Sequence, residues 1–381
     1  MKICYLSAEY PPALHGGAGT FTQVTARALV RAGHEVRVAG VCDHHHQAPD
    51  HEDDHGVSVW RLRAPRYRGG GVAGRIELYR LVKRWVQQGD VEVVDAPDHE
   101  GPFAGWPRLG APLVLRAQGS YSYFLHELGQ PIPMKMFQFE RFSYRRADAW
   151  SATSEYIGEA TKRLFHLREG PNAVLYNSVE EPAATVPFEN RSTDEVVFTG
   201  TLTAKKGVIS LIEAWPAIRA HVPRAQLHIF GKDGVAPTGT SMKAYLQGKL
   251  PQSSASSVHF YDHVSRSKLA AALSTARVAV FPSYAEGFAL APLEAMVAGC
   301  PTIYSRCGSG PELIVHERDG LLIDPQNATD IAEAVVRVLE DDALAHRLGT
   351  NGRERVLSTF TSQKVLPANE LFYQNVIRSF Q

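Results

Sequence analysis

Short apolar runs alternate with amphipathic helical patterns from one end of this chain to the other, and that alternation leaves few folds open. Residues 3–6 form a continuous apolar run, as a strand buried on both faces of a parallel sheet requires. A helix is expected from about Gly19, with Phe21, Val24, Ala28 and Leu29 on one stripe and Gly33 as its stop. Strands at 35–41, 91–94, 113–115, 149–152 and 173–176 continue the series. Around residues 180–187 periodicity lapses and Pro182 and Pro187 mark a linker. The alternation then restarts with strands at 196–198, 227–230, 258–260, 278–281, 302–304 and 321–323. A helix over 207–222 carries Val208, Leu211, Ile212, Trp215 and Ile218 on one face, and Pro216 is expected to kink or shorten it. Asp330 and Glu333 suggest a capping-box start for a helix running through Leu339. Two strand–helix series around one linker predict an α/β chain of two doubly wound domains facing across a cleft. The N-terminal domain is placed at 1–185, completed by a C-terminal helix at about 362–381, and the second at 186–361.

The chain's 381 residues exceed one comfortable core, which agrees with two domains. Lys+Arg and Asp+Glu stand at 40 each, and the two signs are also equal over residues 1–186. No global field therefore draws in nucleic acid, and residues 1–186 lack the basic bias of a membrane-docking domain. No run of about 18 apolar residues exists to span a bilayer. The N-terminal apolar run is too short for a signal peptide and meets Glu9 early, so a cytoplasmic protein is expected. Cys4, Cys42, Cys300 and Cys307 show no CxxC spacing and are expected as reduced, mostly buried thiols.

Chemistry is concentrated in the segment 282–296, which follows the apolar run at 278–281 and leads into a helix. Glu286 and Glu294 are separated by seven residues, with Gly287, Phe288, Ala289 and Leu290 between them. Backbone N–H groups at a helix start suit hydroxyls and phosphate, and a carboxylate two turns on can accept both hydroxyls of a ribose. Gly16 and Gly17 follow the first strand, where the backbone can approach a diphosphate closely. Lys206 stands at the mouth of a helix as a point charge. His44–His46 with His51 and His55 look like a metal tract, but among Asp50, Glu52, Asp53 and Asp54 they are read as a solvated polar loop. Arg61, Arg63, Arg66 and Arg68 with Tyr67 and Gly69–Gly71 are read as a basic mobile loop. No Asp-x-Asp triplet supplies a carboxylate pair for a divalent metal.

The 282–296 segment resembles the paired-glutamate motif of retaining glycosyltransferases of family 4, whose fold is GT-B, two Rossmann-like domains. Further segments match in order: Pro11 to Gly19 is similar to the family's glycine loop, Tyr176–Val179 to its interdomain turn, and Gly200–Gly207 to its phosphate loop. Gly308–Glu312 and Asp319–Leu322 resemble its late loops. The resemblance implies that Glu294 binds the donor ribose and Glu286 a hydroxyl of the transferred sugar. It further implies that Lys206 and the Gly17 amide neutralise the leaving diphosphate. Thr201 stands where the family has an arginine, with Lys205 or Arg306 as substitutes, and Gln118 stands where it presents a histidine near the sugar. Gln118 can hydrogen-bond a sugar hydroxyl but cannot serve as a base at neutral pH. The expected activity is transfer of a hexose-type sugar from a uridine- or guanosine-diphosphate donor, uridine first. Retention follows from the resemblance, and no cofactor or metal is expected. The acceptor (small molecule, glycan or lipid-linked sugar) stays open. Two rivals differ in class: a sugar-nucleotide epimerase on the same fold, and a non-catalytic nucleotide-sugar binder favoured by Thr201 and Gln118.

Overall fold

The computed structural model describes residues 1–12, 16–42, 48–64, 70–182, 186–262 and 264–380. It divides into two compact units, Met1–Ser178 with Ser362–Gln381, and Val179–Thr361. The division falls at 178/179, ahead of the 185/186 border expected from the prolines. Val179 belongs with the second unit because it bridges to Thr361 and its N–H reaches the Phe360 carbonyl.

Unit 1 runs β1 (Lys2–Leu6), α1 (Gly17–Arg31), β2 (Glu35–Cys42), β3 (His51–Asp54), β4 (Val57–Arg63), α2 (Gly70–Gln87), β5 (Val93–Pro97), β6 (Leu113–Ala117), α3 (Tyr121–Glu127), α4 (Met134–Arg146), β7 (Ala149–Ala152), α5 (Glu155–Phe165) and β8 (Ala173–Val174). Its sheet order is β3-β4-β2-β1-β5-β6-β7-β8, parallel except for the β3–β4 pair. The apolar run of β1 explains itself in the packing. Cys4 and Leu6 join a cluster with Leu78, Val82 and Trp85 on one face. Ile3 and Tyr5 join Leu29, Phe372, Tyr373 and Val376 on the other. The latter three come from the C-terminal helix Ser362–Phe380, which packs on α1. Cys4, Cys42 and Cys300 are buried thiols and Cys307 is half-buried.

Two expectations fail here. His51–Asp54 is not a solvated loop but a strand, and Arg61 and Arg63 belong to β4, not to a mobile loop. Arg61 is buried, pairs with Glu52 at 2.5 Å and donates to the Pro49 and Pro11 carbonyls. Asp54 is held by Arg27, Tyr10 and Gln23. Partners distant in sequence neutralise the charges that would otherwise keep this hairpin in water. His44–His46, Arg66, Tyr67, Arg68 and Gly69 lie outside the described residues.

Unit 2 runs β9 (Glu195–Thr199), α6 (Val208–His221), β10 (Gln226–Phe230), α7 (Met242–Lys249), α8 (Gln252–Ala255), β11 (Val258–Tyr261), α9 (Arg266–Thr275), β12 (Val278–Phe281), α10 (Leu290–Val297), β13 (Thr302–Ser305), α11 (Gly310–Leu313), β14 (Leu321–Ile323), α12 (Ala328–Glu340) and α13 (Asp342–Thr359). Its sheet is fully parallel in the order β11-β10-β9-β12-β13-β14. Pro216 does not end α6. A mid-helix proline costs about 3 kcal/mol, and the five side chains of the predicted stripe are all fully buried, at roughly 1.5–3 kcal/mol each. Helix α12 starts earlier than the Asp330–Glu333 pattern suggests. Asn327 caps it by accepting from the Thr329 and Asp330 amides, while the Asp330 side chain turns to the Asp324 amide and Arg306.

Candidate functional site

With the β3 hairpin set aside, both sheets share one wiring. Three strands are laid outward in one direction and the following ones, four in unit 1 and three in unit 2, in the other, so the direction reverses between β1 and β5 and between β9 and β12. Loops leaving the carboxyl ends of such strand pairs diverge and open a crevice, the usual ligand position in open α/β sheets. In unit 2 those two loops carry Gly200–Gly207 and Pro282–Glu286.

The first loop is shaped by glycines. Gly231 backs so closely onto Gly200 that a Cβ would lie 1.9 Å from the Gly200 carbonyl oxygen. A single 3₁₀ turn, Ala204–Lys206, ends at Gly207, whose φ of +70° and contact with Pro282 exclude a side chain; a Cβ would meet the Pro282 carbonyl at 1.7 Å. The Tyr284 amide donates to the Lys205 carbonyl at 2.8 Å, which fastens one loop to the other. The outcome is an ion pair between Lys206 Nζ and Glu286 Oε1 at 2.5 Å, both side chains only partly exposed.

Burial alone would raise the Glu286 carboxyl, but the Lys206 and Lys205 ammoniums, with hydrogen bonds from Lys206 and Ser283, bring it below the usual glutamate range. Lys205 is pushed down by burial, with Glu286 opposing that shift and Lys206 adding to it. Two ammoniums thus stand against one carboxylate, and the surplus positive charge suits a diphosphate. Arg306, the other substitute considered for the missing arginine, is half exposed and bound to Asp330 at 2.7 Å. Thr201 is exposed on the loop and Leu202 is buried beneath it.

Phe288, Ala289 and Leu290 are buried at the start of α10, and Phe288 packs on Phe360 at 5.4 Å between ring centroids. Glu294 lies inside α10 with its side chain a quarter exposed. Burial pushes its carboxyl up and Arg266, 3.5 Å away, draws it partly back. Lys206 and Glu286 therefore meet, whereas Glu294 has a cation of its own.

In unit 1 the glycine loop opens α1. Gly16 is the N-cap with no side chain to fill that role, and a Cβ at Gly17 would meet nothing within 4 Å. The Gly16 amide donates to Glu9 at 3.0 Å, so the protein's own carboxylate already stands at this helix start. Gln118 follows β6 and is half-buried. Its amide donates to Asp98 Oδ1 at 3.0 Å, and Tyr144 donates to Asp98 Oδ2 at 3.0 Å. Burial pushes the Asp98 carboxyl up to about 7, with Glu140 adding to the rise and the two hydrogen bonds opposing it. Glu140, also fully buried, accepts from the Tyr121, Ser122 and Glu100 amides.

Sequence reasoning passed over Glu9, Asp98, Glu140, Arg266 and Ser283. Asp98 could have been found as an acid just past an apolar run; the others carry no local mark. Among the described residues no group of three or more His, Cys, Asp or Glu is gathered as a metal centre requires.

Comparison with known proteins gives the same picture twice. Residues 16–178 match the family model of the glycosyl transferase 4-like domain, and residues 183–355 that of glycosyl transferases group 1. An uncharacterized glycosyltransferase of Methanocaldococcus jannaschii is 28% identical, with 95% of each chain covered. A glycogen synthase of Mycobacterium tuberculosis is 26% identical over 98% of this chain and 94% of its own. Among solved structures, sucrose-phosphate synthase of Thermosynechococcus elongatus superposes with a TM-score of 0.83 at 23% identity, covering 99% of both chains. HepE of Anabaena, in complex with UDP-glucose, gives 0.73 at 17% identity, covering 98% of this chain and all of its own.

Proposed function

Because this chain belongs to the family-4-type glycosyltransferases of the GT-B fold, we propose that it moves a hexose-type sugar from a uridine- or guanosine-diphosphate donor to a hydroxyl acceptor, with retention and without a metal. The Lys206–Glu286 pair at the strand reversal of unit 2 carries this reading. Lys206 and Lys205 take the leaving diphosphate, Glu286 takes a hydroxyl of the transferred sugar and Glu294 takes the ribose. In unit 1, Gly16 and Gly17 leave room for the diphosphate and Gln118 hydrogen-bonds the sugar. Stabilising charge that grows on the leaving group is the step for which lysine suffices in place of a cation such as magnesium. Uridine is assigned first, since HepE is a structural relative recorded with UDP-glucose.

The test is a donor screen. UDP-glucose and GDP-mannose are each incubated with the protein, with and without a chelator, while free nucleoside diphosphate and the sugar's configuration are followed. Slow donor hydrolysis that persists in chelator is expected. Activity abolished by chelator and restored by manganese would overturn the metal-free reading. Binding with no turnover would make the chain a nucleotide-sugar binder, and an equilibrated epimer would make it an epimerase.

A further inference from the structure

In unit 1, α4 turns a buried face toward two loops at the carboxyl end of the sheet. Glu140, Ser143 and Tyr144 lie one turn apart on that face and all three are buried. Each holds a group from the loop after β5. The Tyr144 hydroxyl donates to Asp98 at 3.0 Å, Ser143 Oγ accepts from the Phe103 amide at 3.0 Å, and Glu140 Oε1 accepts from the Glu100 amide at 3.3 Å. Gly101 (φ +62°) lets this loop lie flat on α4, since a Cβ there would stand 2.4 Å from the Phe139 carbonyl oxygen.

Glu140 reaches the second loop as well, the one after β6. The start of α3 presents the Tyr121, Ser122 and Tyr123 amides, none of which has a partner within the helix. Ser120 Oγ accepts from Tyr123 at 3.1 Å, while Glu140 Oε1 accepts from Tyr121 at 2.8 Å and Oε2 from Ser122 at 3.0 Å. A helix of seven residues does not sustain itself, so these outside acceptors decide where it begins. Gln118 stands three residues ahead of Tyr121, across Gly119 (φ +109°), where a Cβ would lie 2.5 Å from the Phe124 ring of α3. A shift of the helix start is therefore passed on to Gln118.

We propose that Glu140 is a positioning residue for sugar transfer: by accepting amides from both loops, it fixes the turn that presents Gln118 to the transferred sugar. This role rests on the sugar-transfer reading. A carboxylate suits the place because both of its oxygens only accept, and three N–H groups converge on them. A glutamine of the same length would turn an NH₂ group toward one set of these amides and hold the other alone. The three bonds also offset the cost of burying the charge. Glu140 is fully buried and meets no ligand itself, so whatever it does for the reaction passes through the loops it holds.

A double-mutant cycle decides it. Hydrolysis of UDP-glucose or GDP-mannose, whichever the parent turns over, is measured for the parent, Glu140→Gln, Gln118→Ala and the double variant, well below the melting temperature of each. Each single substitution should lower kcat/KM roughly tenfold, the size of one hydrogen bond to the sugar. The double variant should be no slower than Gln118→Ala alone, and affinity for the free nucleoside diphosphate should stay at the parent's value throughout. Glu140→Asp, whose carboxylate ends one methylene short of the amides, carries the same cycle if Glu140→Gln does not fold. A further tenfold loss in the double variant would make Glu140 a fold-stabilising group that acts apart from Gln118, and overturns the proposal. So does an unchanged rate in Glu140→Gln, or a loss of free nucleoside diphosphate binding. A parent that hydrolyses neither donor overturns the sugar-transfer reading and this role with it, and the parent alone reveals that outcome.

Discussion

Lys206 serves two carboxyl-like demands in turn. Its ammonium meets Glu286 at 2.5 Å, and on the proposed reading a diphosphate competes for it. That competition sharpens the roles of the two glutamates. Glu286→Ala frees Lys206, so free uridine diphosphate should bind as well as before or more tightly, while the nucleotide sugar loses a charge-assisted contact of roughly 1.5–3 kcal/mol, about tenfold or more in affinity. Glu294→Ala should weaken both ligands alike, because the ribose is common to them. Calorimetry of both ligands on both variants gives the four values required. Equal weakening of free uridine diphosphate by the two substitutions would place Glu286 away from the sugar. Lys206→Ala should cut turnover by roughly a hundredfold and ground-state donor affinity by much less, since the diphosphate's charge grows in the transition state. A rate left unchanged would hand the leaving group to Lys205 alone.

At the scale of elements, the loops beyond β5 and β6 are templated by two buried carboxylates. Asp98 holds the Gln118 amide and Glu140 the start of α3. An Asp whose folded pKa is raised to about 7, against an ordinary value near 3.9, binds its proton more tightly folded than unfolded. Its contribution to stability is therefore fully present below about pH 4 and is lost as pH rises through about 7. Asp98→Asn keeps an acceptor for the Gln118 amide and cannot ionise. The variant should match the parent near pH 4 and melt progressively higher toward pH 8, by several degrees if even about 1–2 kcal/mol is involved. A difference in melting temperature that stays constant over that range would show that folding does not raise the Asp98 pKa.

This network also marks where the sequence was legible and where it was not. The strands of both sheets could be read because burial on two faces demands unbroken apolar runs such as those of β1 and β12. The Gly200–Gly207 loop and the role of Glu286 could be read through the resemblance to family 4, whereas the strand reversal on which they sit appears only in the sheet order. β3 could not be read, since His51–Asp54 has no apolar residue, and what pairs it with β4 and neutralises its acids (Arg27, Tyr10 and Arg61) is set by the fold. Glu140 stayed hidden for the same reason, because a buried acid is recognised by its amide partners and those are set by the fold; Glu9, exposed on its loop, carries no local mark.

For the molecule as a whole, the chain's last nineteen-residue helix returns to the first unit and closes its core. Arg116, fully buried on β6, donates to Asp95 at 2.9 Å, to Asn369 at 3.1 Å and to the Tyr373 hydroxyl at 2.9 Å. Tyr373 in turn donates to Asp95 at 2.7 Å and meets the Tyr5 hydroxyl at 2.7 Å, while the guanidinium lies 5.1 Å over Phe21. A buried charge that loses its partners is worth several kcal/mol against folding, a large part of a domain's whole stability. Removing residues 362–381 would strip Asn369 and Tyr373 from Arg116 and uncover the Leu29 face of the sheet. Unit 2 keeps all of its strands in that shortened chain, since none of its elements lies beyond Thr359. Hydrogen exchange on the shortened chain should show protection collapsing in β1, β5 and β6 and persisting in β9, β12 and β13. In the full chain, Tyr373→Phe should cost about 1–3 kcal/mol, the penalty for leaving the Arg116–Asp95 pair short of one buried hydrogen-bond partner. Protection lost evenly across both units would mean that the C-terminal helix stabilises the chain through something other than the Arg116 cluster.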